Sequence, residues 1–403
     1  MRKFDVIVVG GGPAGAVTAR VAAKAGATVL LLERRSQIEE PSACAGLVSP
    51  RTLSVLGASE ACVVRRLRDA TFHAPGGTVL SVHATSDRAL VVDRSTLERE
   101  LLARARDAGV EVRLGVSATA WTGGALEMAA PDGKETAAAA VLVGADGPES
   151  RVALWCGLRS FALGLSAAQA EVESAPEGDR VDVFVGRHVA PGFFAWSIPA
   201  QAGRLRVGLA VSSGVPPAPF LDRLLESRFP DRRVVARVEG TIPVPLPADG
   251  RIAGGGALLV GDAAAQVKPL SGGGLYFGGL CARLAGRAAS RAAREARDCE
   301  THLERYETAC HELLGPETRF GLAARSARDA LDDADWDRLF SLLNRSDLLA
   351  VVSERIDIDH LRHMVPPLVS HPRLWGTLFT AWDLVRRRLG AEGGVAGSRD
   401  ECL

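Results

Sequence analysis

The sequence predicts an α/β fold, in which strand–helix stretches are interleaved with a strand-rich block and followed by C-terminal helices. Short apolar runs at residues 4–9, 137–143 and 257–260 are typical of buried strands. Residues 163–242 carry a strand-rich pattern instead, and the chain is mostly helical from about residue 299 to residue 390. We therefore expect two interleaved domains that share one crevice. The predicted boundaries are 1–70, 88–158 and 245–315 for the first domain, 71–87 and 159–244 for the second, and 316–403 for the helical region.

The first strand leads into a glycine motif at residues 10–15, GGGPAG, which precedes an Ala-rich helical stretch. Gly10 permits a tight turn, Gly12 lets the backbone approach a pyrophosphate, and Gly15 lets the helix pack close to the strand. The N-terminus of that helix attracts phosphate groups. Glu33 ends the second apolar strand, where a carboxylate accepts hydrogen bonds from ribose hydroxyls and disfavours a 2′-phosphate. The pattern predicts a Rossmann-like domain that binds FAD or NAD rather than NADP.

Composition excludes several functional classes. The chain has 403 residues with 48 Lys+Arg and 48 Asp+Glu, so it lacks the basic surplus of a nucleic-acid-binding protein. Its seven cysteines contain no C-x-x-C pair, which argues against a zinc site or a disulfide framework. The chain enters a strand at once, so we expect no signal peptide. No apolar run approaches the roughly 20 residues of a membrane span. We expect a cytoplasmic protein, with membrane association left open.

A second glycine-rich segment lies late in the chain. Asp262 follows a buried strand, where a carboxylate can bind ribityl or ribose hydroxyls; the alternative is a helix N-cap. The glycines at 272–274 precede a long helix. Bare backbone there can lie against a flat ring, and the helix N-terminus can stabilise negative charge on a reduced flavin. This second cradle favours FAD over NAD.

Two further motifs lie between these glycine segments. Arg94 precedes a helix predicted from Ser95 to Ala108, with Ser95 as N-cap and Glu98 completing a capping box. We expect Arg94 to reach the pyrophosphate or the ribityl chain; the alternative is a solvated arginine. Asp146 lies in a glycine–acid motif at residues 144–147, and we expect it to brace the FAD-binding crossover.

In their order and spacing, these four motifs resemble the FAD-dependent monooxygenase-like superfamily. The chain is most similar to the geranylgeranyl reductase family, over about residues 4–310. The segments that carry this similarity are CAG at residues 44–46, PGFFAWSIP at 191–199, and GDAAAQVKPLSGGG at 261–274. The resemblance implies that Cys44 lies in an active-site loop near the flavin, where it could donate a proton or shape the pocket.

Motifs and resemblance together predict a set of FAD-binding residues, namely Gly10, Gly12, Ala14, Gly15, Glu33, Arg34, Ala45, Gly46, Arg94, Ala118, Asp262, Gly273, Gly274 and Leu275. The family's P-x-x-Y-x-W-x-F-P motif has Phe194 in place of Tyr and Ile198 in place of Phe. On one strand Phe194, Trp196 and Ile198 face the same side, which suits an isoprenoid chain or the flavin edge; the alternative is a packed core strand. Lys268 is a candidate for binding a charged headgroup or is a plain surface lysine.

The resemblance implies a reductase in which NAD(P)H or a reduced electron carrier reduces FAD, and hydride then passes to an isoprenoid C=C bond. The expected partner is an isoprenoid or lipid substrate, with possible peripheral membrane contact, no nucleic acid and an undefined oligomeric state.

The alternative function is that of an FAD-dependent aromatic hydroxylase. A halogenase is disfavoured because no lysine occurs between Lys24 and Lys134. A non-catalytic flavin-binding protein would have no evident use for the second glycine cradle. The apolar residues at 348–352 and 374–382 are expected to be core rather than membrane-facing.

Overall fold

The computed structural model describes residues 1–39, 44–158, 161–173, 178–201, 203–245, 250–344 and 347–396. The chain divides into two compact units. Unit 1 comprises Met1–Val63, Val92–Gly164 and Thr241–Thr318, and unit 2 comprises Val64–Val91, Leu165–Gly240 and Arg319–Leu403. The domain boundaries inferred from the sequence stay a prediction.

The strands are β1 (Arg2–Val9), β2 (Val29–Glu33), β3 (Leu47–Val48), β4 (Val63–Leu67), β5 (Asp69–His73), β6 (Val79–His83), β7 (Ala89–Val92), β8 (Glu111–Leu114), β9 (Ser117–Thr122), β10 (Ala125–Ala130), β11 (Gly133–Gly144), β12 (Phe161–Glu173), β13 (Arg180–Phe184), β14 (Ala195–Pro199), β15 (Arg204–Val211), β16 (Val234–Pro245), β17 (Ala253–Gly254) and β18 (Ala257–Leu259).

The α-helices are α1 (Pro13–Lys24), α2 (Pro50–Leu56), α3 (Arg94–Asp107), α4 (Arg151–Cys156), α5 (Ala218–Arg228), α6 (Leu275–Arg294), α7 (Cys299–Ala330), α8 (Asp333–Asn344), α9 (Leu348–Arg355), α10 (Val365–Val369) and α11 (Trp375–Ala396). Short 3₁₀ helices cover Glu60–Cys62, Gly261–Ala264, Ala296–Asp298, Leu361–Met364 and Pro372–Leu374. None of the helices in the described ranges is long and apolar enough to cross a membrane.

Unit 1 is built on a sheet with the strand order β17-β18-β11-β1-β2-β8. Strand β1 pairs in parallel with both β2 and β11, and β2 pairs in parallel with β8. The central strands are buried on both faces, which explains their continuous apolar sequence. This arrangement confirms the predicted α/β fold, and it brings the carboxyl ends of β1, β2 and β11 to one edge of the sheet.

Helices α1 and α6 pack closely in unit 1, although α6 lies far along the chain. A Cβ at Gly286 would lie 2.5 Å from the carbonyl oxygen of Thr18 and 2.7 Å from Cβ of Val21. The hydroxyl of Thr18 also donates a hydrogen bond to the carbonyl of Ala282 at 3.3 Å. This contact joins the middle of α1 to the middle of α6 within unit 1.

Unit 2 is built on a seven-stranded sheet with the order β16-β12-β15-β14-β13-β5-β6. One cluster of buried residues joins the sheet to α5, and it includes Ala195, Leu209, Leu221 and Leu225. Helix α8 contributes Phe340 to a second cluster, with Ala74, Leu80 and Val185. The sheet is therefore covered by helical side chains from two different parts of the chain.

The expectation that the late apolar residues are core is only partly correct. Leu348 and Leu374 are buried. However, the α11 side chains of Trp375, Phe379 and Trp382 are exposed, at 58%, 72% and 60%. Their spacing of four and three residues places them along one face of the helix, and the hydrophobicity of the segment does not reveal which face packs.

Candidate active site

The glycine turn after β1 forms where the predicted motif placed it. Gly10 has a φ of +106° and donates its backbone N–H to the carbonyl of Leu32 at 2.8 Å. A Cβ at Gly15 would lie 2.0 Å from the carbonyl oxygen of Gly10. Only glycine suits both positions, since one needs a left-handed backbone and the other a close helix–strand approach.

The N-terminus of α1 fits the phosphates of a dinucleotide. Gly12 is the N-cap, and no side chain caps the helix there. A Cβ at Gly12 would meet no atom within 4 Å, so the backbone borders open space. The N–H groups of the first helical turn carry a partial positive charge and lack intrahelical acceptors, which suits an anion.

Glu33 is buried at the end of β2 and lies against the glycine turn. Its Oε2 accepts the Gly11 N–H at 2.9 Å, and its Oε1 accepts the Arg35 backbone N–H at 2.9 Å and the Arg35 Nε–H at 3.0 Å. Burial would raise the pKa of this carboxyl, but the hydrogen bonds from Arg35 and Gly11 outweigh it and lower the pKa. Glu33 therefore stays ionised, and its oxygens have further acceptor capacity for a ribose hydroxyl.

The capping box predicted at Ser95 is wrong, because α3 begins at Arg94. Asp93 caps this helix by accepting the Thr96 N–H at 2.6 Å. Glu98 is thus free to accept a hydrogen bond from Arg94 Nη2 at 2.5 Å. An aspartate closer to the helix start competes successfully with serine for the cap position.

Glu98 joins two arginines in unit 1. Besides its bond with Arg94, it accepts a hydrogen bond from Arg35 Nη2 at 2.9 Å, and Arg35 also binds Glu33. The Glu98 side chain is buried. Sequence reasoning assigned no role to Arg35 and treated Glu98 only as a capping residue. The available signal was an arginine two residues beyond the acid that ends β2.

Arg94 lies beside Cys44. Burial would lower the pKa of the Arg94 guanidinium, but interactions with Cys44 and Glu98 outweigh it and raise the pKa. The Cys44 Sγ also accepts the Gly46 N–H at 3.4 Å. The Gly46 carbonyl in turn accepts the Val92 N–H at 2.9 Å, which ties the cysteine loop to the strand before α3. A fixed cation is therefore in place next to the sulfur.

Asp262 lies in the 3₁₀ helix that follows β18, and its side chain is exposed. A Cβ at Gly274, the N-cap of α6, would lie 2.8 Å from Asp262 Oδ1. No side chain caps α6 or this 3₁₀ helix, so the helix-cap alternative for Asp262 is wrong. Within the described ranges, its carboxylate makes no hydrogen bond, and its ligand contacts stay a prediction.

The electrostatic setting of Asp262 combines exposure with desolvation. Although solvent reaches the carboxylate, surrounding protein desolvates it and raises its pKa, while the positive charge of Arg94 opposes this rise. Gly261 brings the same segment against α1, because a Cβ at Gly261 would lie 2.8 Å from Cβ of Ala14. The structure thus brings Ala14, Arg94, Asp262 and Gly274 into one region of unit 1.

The segment after Asp262 is held by residues that sequence reasoning missed. Gln266 is buried, and its Oε1 accepts the Gly261 N–H at 2.8 Å. Its Nε2 donates to the Tyr306 hydroxyl at 3.0 Å, which in turn donates to the Leu259 carbonyl at 2.7 Å. A glutamine inside the predicted flavin motif was the available signal.

Lys268 belongs to the turn that leads into α6. Its backbone N–H donates to the Gly273 carbonyl at 3.1 Å, and its carbonyl accepts the Gly272 N–H at 2.8 Å. A Cβ at Gly273 would lie 2.9 Å from Lys268 Cε. The lysine side chain therefore lies along the bare backbone of the glycine cradle.

Asp146 has the bracing contacts expected of a structural residue. It accepts hydrogen bonds from the Ser150 hydroxyl at 2.6 Å and the Arg151 N–H at 2.8 Å, at the start of α4.

Among the other predicted FAD-binding residues, Ala118 is buried in β9, Arg34 is exposed after β2, and Ala45 and Leu275 are half-buried. The FAD contacts of all these residues stay predictions.

The predicted substrate wall lies in unit 2. Strand β14 begins at Ala195, so Phe194 immediately precedes the strand. The rings of Phe194 and Trp196 meet edge-to-face with centroids 6.1 Å apart, and Trp196 Nε1 donates to Gln169 Oε1 at 3.2 Å. Ile198 is buried, and Phe194 packs partly against the Phe340 cluster. Phe194 and Trp196 are both half-buried, so these two rings, rather than Ile198, are accessible to a ligand.

Comparisons with known proteins identify the cofactor-binding domain and a set of relatives. A family profile described as "FAD binding domain" matches residues 3–202. Digeranylgeranylglycerophospholipid reductase 2 of Methanopyrus kandleri is 31% identical over 370 residues, which cover 87% of this chain and 93% of the relative.

Two solved structures share the fold. A geranylgeranyl bacteriochlorophyll reductase-like protein from Thermoplasma acidophilum superposes with a TM-score of 0.81 at 23% identity, covering 95% of this chain and 100% of that one. p-Nitrophenol 4-monooxygenase from Pseudomonas putida has a TM-score of 0.69 at 19% identity, with coverage of 90% and 99%. At these identities the two structures establish the fold alone.

Proposed function

This chain belongs to the geranylgeranyl reductase family, and we propose that it reduces C=C bonds in the isoprenoid chains of a lipid. It is an FAD-dependent oxidoreductase. The observation that carries the proposed reaction is the similarity to a digeranylgeranylglycerophospholipid reductase, which extends over 93% of that relative. The resemblance to the monooxygenase structure concerns the fold and gives hydroxylation no comparable support.

The chain's own groups divide the work of holding the cofactor. The uncapped N-terminus of α1 binds the pyrophosphate, and Glu33 accepts hydrogen bonds from the ribose hydroxyls. Asp262 accepts hydrogen bonds from the hydroxyls of the ribityl chain, and the N-terminus of α6 stabilises negative charge near the ring. When bound, FAD supplies the hydride for the alkene carbon.

We assign the proton transfer to Cys44. Reduction of a C=C bond adds a hydride to one carbon and a proton to the other, so an unactivated alkene requires an acid beside it. The Cys44 thiol donates that proton, and Arg94 stabilises the resulting thiolate from its fixed position. Water then reprotonates the sulfur, which balances the reaction.

The remaining assignments concern substrate and donor. Phe194, Trp196 and Ile198 bind the isoprenoid chain by apolar contact, and Lys268 binds an anionic headgroup as a point charge. NAD(P)H or a reduced electron carrier supplies the electrons. The protein works in the cytoplasm. It contacts a membrane peripherally, because its substrate is a lipid.

Anaerobic single-turnover reduction tests the reaction. The purified flavoprotein is reduced with dithionite, and an unsaturated digeranylgeranyl lipid in detergent is added while the flavin absorbance is recorded. We expect flavin reoxidation and a lipid that gains two hydrogen atoms for each double bond reduced. If the flavin stays reduced until oxygen is admitted, and an aromatic substrate then gains an oxygen atom, the enzyme is a hydroxylase and the proposal is wrong.

A further inference from the structure

Helix α11 exposes three large aromatic side chains. Trp375, Phe379 and Trp382 share one helix face and are mostly exposed. The Trp375 Nε1–H donates to the carbonyl of Val369 at 2.8 Å, which places the C-terminal end of α10 beside them, and Val369 is itself exposed. We call Trp375, Phe379 and Trp382 the aromatic face, and Val369 adds an apolar side chain beside it. Soluble proteins seldom expose several large apolar side chains together without a partner.

The opposite side of α11 is anchored to the protein. Arg388 pairs with Asp335 at 2.6 Å between Nε and Oδ2, and also with Asp332. Arg386 lies on the same side of α11 as the aromatic face, and Arg388 lies roughly 200° around the helix from it. Arg388 is therefore on the opposite side. Leu374, immediately before the helix, is buried. The helix is therefore fixed with its aromatic face outward, rather than being a detached segment.

The charged residues of the segment that carries this surface are mostly positive. Residues 360–390 contain five arginines and one acid, Asp383, although the whole chain has a formal net charge of zero. Four of these arginines are exposed, namely Arg362, Arg373, Arg386 and Arg387. Asp383 binds both Arg386 and Arg387, which leaves an excess of positive charge at the edge of the aromatic face.

We propose that the aromatic face and its arginines dock the enzyme on an anionic lipid bilayer. Tryptophan favours the boundary between headgroups and acyl chains, and arginine extends to phosphate groups while its stem stays in apolar surroundings. A helix with aromatic side chains and flanking basic residues lies in that interface without crossing it. The choice of a bilayer over a protein partner rests on the proposed function, since the substrate is a membrane lipid.

Vesicle sedimentation tests this surface in the full-length flavoprotein. One set of vesicles contains phosphatidylcholine alone, and the other contains phosphatidylcholine and phosphatidylglycerol in equal parts. We expect the wild type to bind the anionic vesicles more tightly. The triple variant Trp375→Ser/Phe379→Ser/Trp382→Ser should bind them at least about tenfold more weakly. The variant Arg386→Glu/Arg387→Glu should lose mainly the preference for anionic vesicles over phosphatidylcholine vesicles. Added salt should weaken binding of the wild type to the anionic vesicles.

The matched control is Leu154→Ser, since Leu154 lies in unit 1 and is 80% exposed. This variant should bind vesicles like the wild type. Each variant must keep its flavin absorbance and its melting temperature. Unchanged vesicle binding by the triple variant would overturn the proposal. So would sedimentation velocity showing a wild-type dimer that the triple substitution dissociates, because a second copy would then cover the face.

Activity separates this proposal from the proposed function. With lipid substrate in detergent, the triple variant should reduce C=C bonds as fast as the wild type. With substrate embedded in anionic vesicles, it should be slower by the same factor as its loss of binding. Absence of lipid reduction in detergent by the wild type would refute the proposed function, whereas vesicle binding would still report on the docking surface.

Discussion

Gly10 approaches Ala145 so closely that a Cβ at Gly10 would lie 2.1 Å from the Ala145 carbonyl oxygen. Ala145 also donates its N–H to the carbonyl of Val9 at 2.8 Å. The ends of β1 and β11 thus meet with no room for a side chain. This contact sets the position of the turn from which α1 begins.

Gly10→Ala and Gly12→Ala should therefore have different effects. Gly10→Ala combines a φ of +106° with a backbone overlap and should lower the free energy of unfolding by about 3 kcal/mol or prevent folding. Gly12 has a φ of −64° and open space around it, so Gly12→Ala should fold with little change in stability. We expect Gly12→Ala to weaken FAD binding by at least about tenfold, because the methyl group meets the pyrophosphate. Urea unfolding of the apoprotein and flavin titration measure the two quantities.

The difference between the effects of Gly10→Ala and Gly12→Ala tests whether the phosphates of FAD lie against Gly12. If Gly12→Ala bound FAD as tightly as the wild type, the cofactor would not approach this part of the backbone. A loss of stability in Gly12→Ala without flavin would point to a packing role that the open space around Gly12 does not support.

Asp262→Asn should weaken FAD binding while stabilising the apoprotein. Loss of the charged acceptor should cost about 2 kcal/mol of binding free energy, or roughly thirtyfold in Kd. The folded-state pKa of Asp262 is raised, so the folded protein holds this proton more tightly than the unfolded chain, and stability falls as the pH rises through the folded-state pKa.

Asparagine carries no such ionised group. The variant apoprotein should therefore melt at a higher temperature than the wild type at neutral pH, and the difference should vanish below a pH of about 3, where aspartate is protonated in both states. Melting curves of apoprotein across pH check the sign. A variant that is less stable at neutral pH would show that Asp262 has a structural partner.

Glu98→Gln should be strongly destabilising. The buried carboxylate of Glu98 binds both Arg94 and Arg35, and its removal leaves a buried guanidinium without its closest anion. We expect a loss of about 3 kcal/mol in the free energy of unfolding. The control is Glu111→Gln, because Glu111 pairs with Arg2 at the surface and should cost less than about 1 kcal/mol. Equal effects of the two substitutions in urea unfolding would contradict the buried pair.

Cys44→Ala should preserve flavin binding and abolish most lipid reduction. We expect flavin reoxidation by the lipid to slow by about 10²-fold or more, because the acid is lost while the hydride source remains. Cys62→Ala is the matched control. Burial and the nearby Glu100 raise the pKa of Cys62 to about 11, so this buried thiol is inert. Stopped-flow absorbance of both variants checks the assignment, and an unchanged rate in Cys44→Ala would remove Cys44 from the reaction.

Gly208→Ala should weaken lipid binding without affecting FAD. Gly208 lies opposite Trp196 in the β14–β15 pair, and a Cβ there would lie 2.7 Å from Cε2 of the indole. The ring must shift, and we expect the KM for lipid to rise about tenfold. In a Trp196→Phe background the smaller ring leaves room, so Gly208→Ala should have little further effect. Additive effects in this double-mutant cycle would show that Gly208 acts by another route.

Local sequence patterns predicted the structure correctly where one short segment supplies all the contacts. The glycine motif, the strand before it and the helix after it follow from backbone geometry within residues 4–24, and the structure confirms them. The helix start at Arg94 was misplaced by one residue, because Asp93 and Ser95 are both good N-caps and propensity alone does not rank them.

Periodicity and residues close together in the chain were enough to predict the α/β class, the glycine turn after β1 and the acids at the strand ends. The contact of Glu98 with both Arg35 and Arg94, and the hold of Gln266 and Tyr306 on the Asp262 segment, became visible in the folded chain. The tertiary structure also decided that the aromatic face of α11 points outward. Such contacts join distant segments, and a hydrophobic pattern does not specify which face of a helix finds a partner.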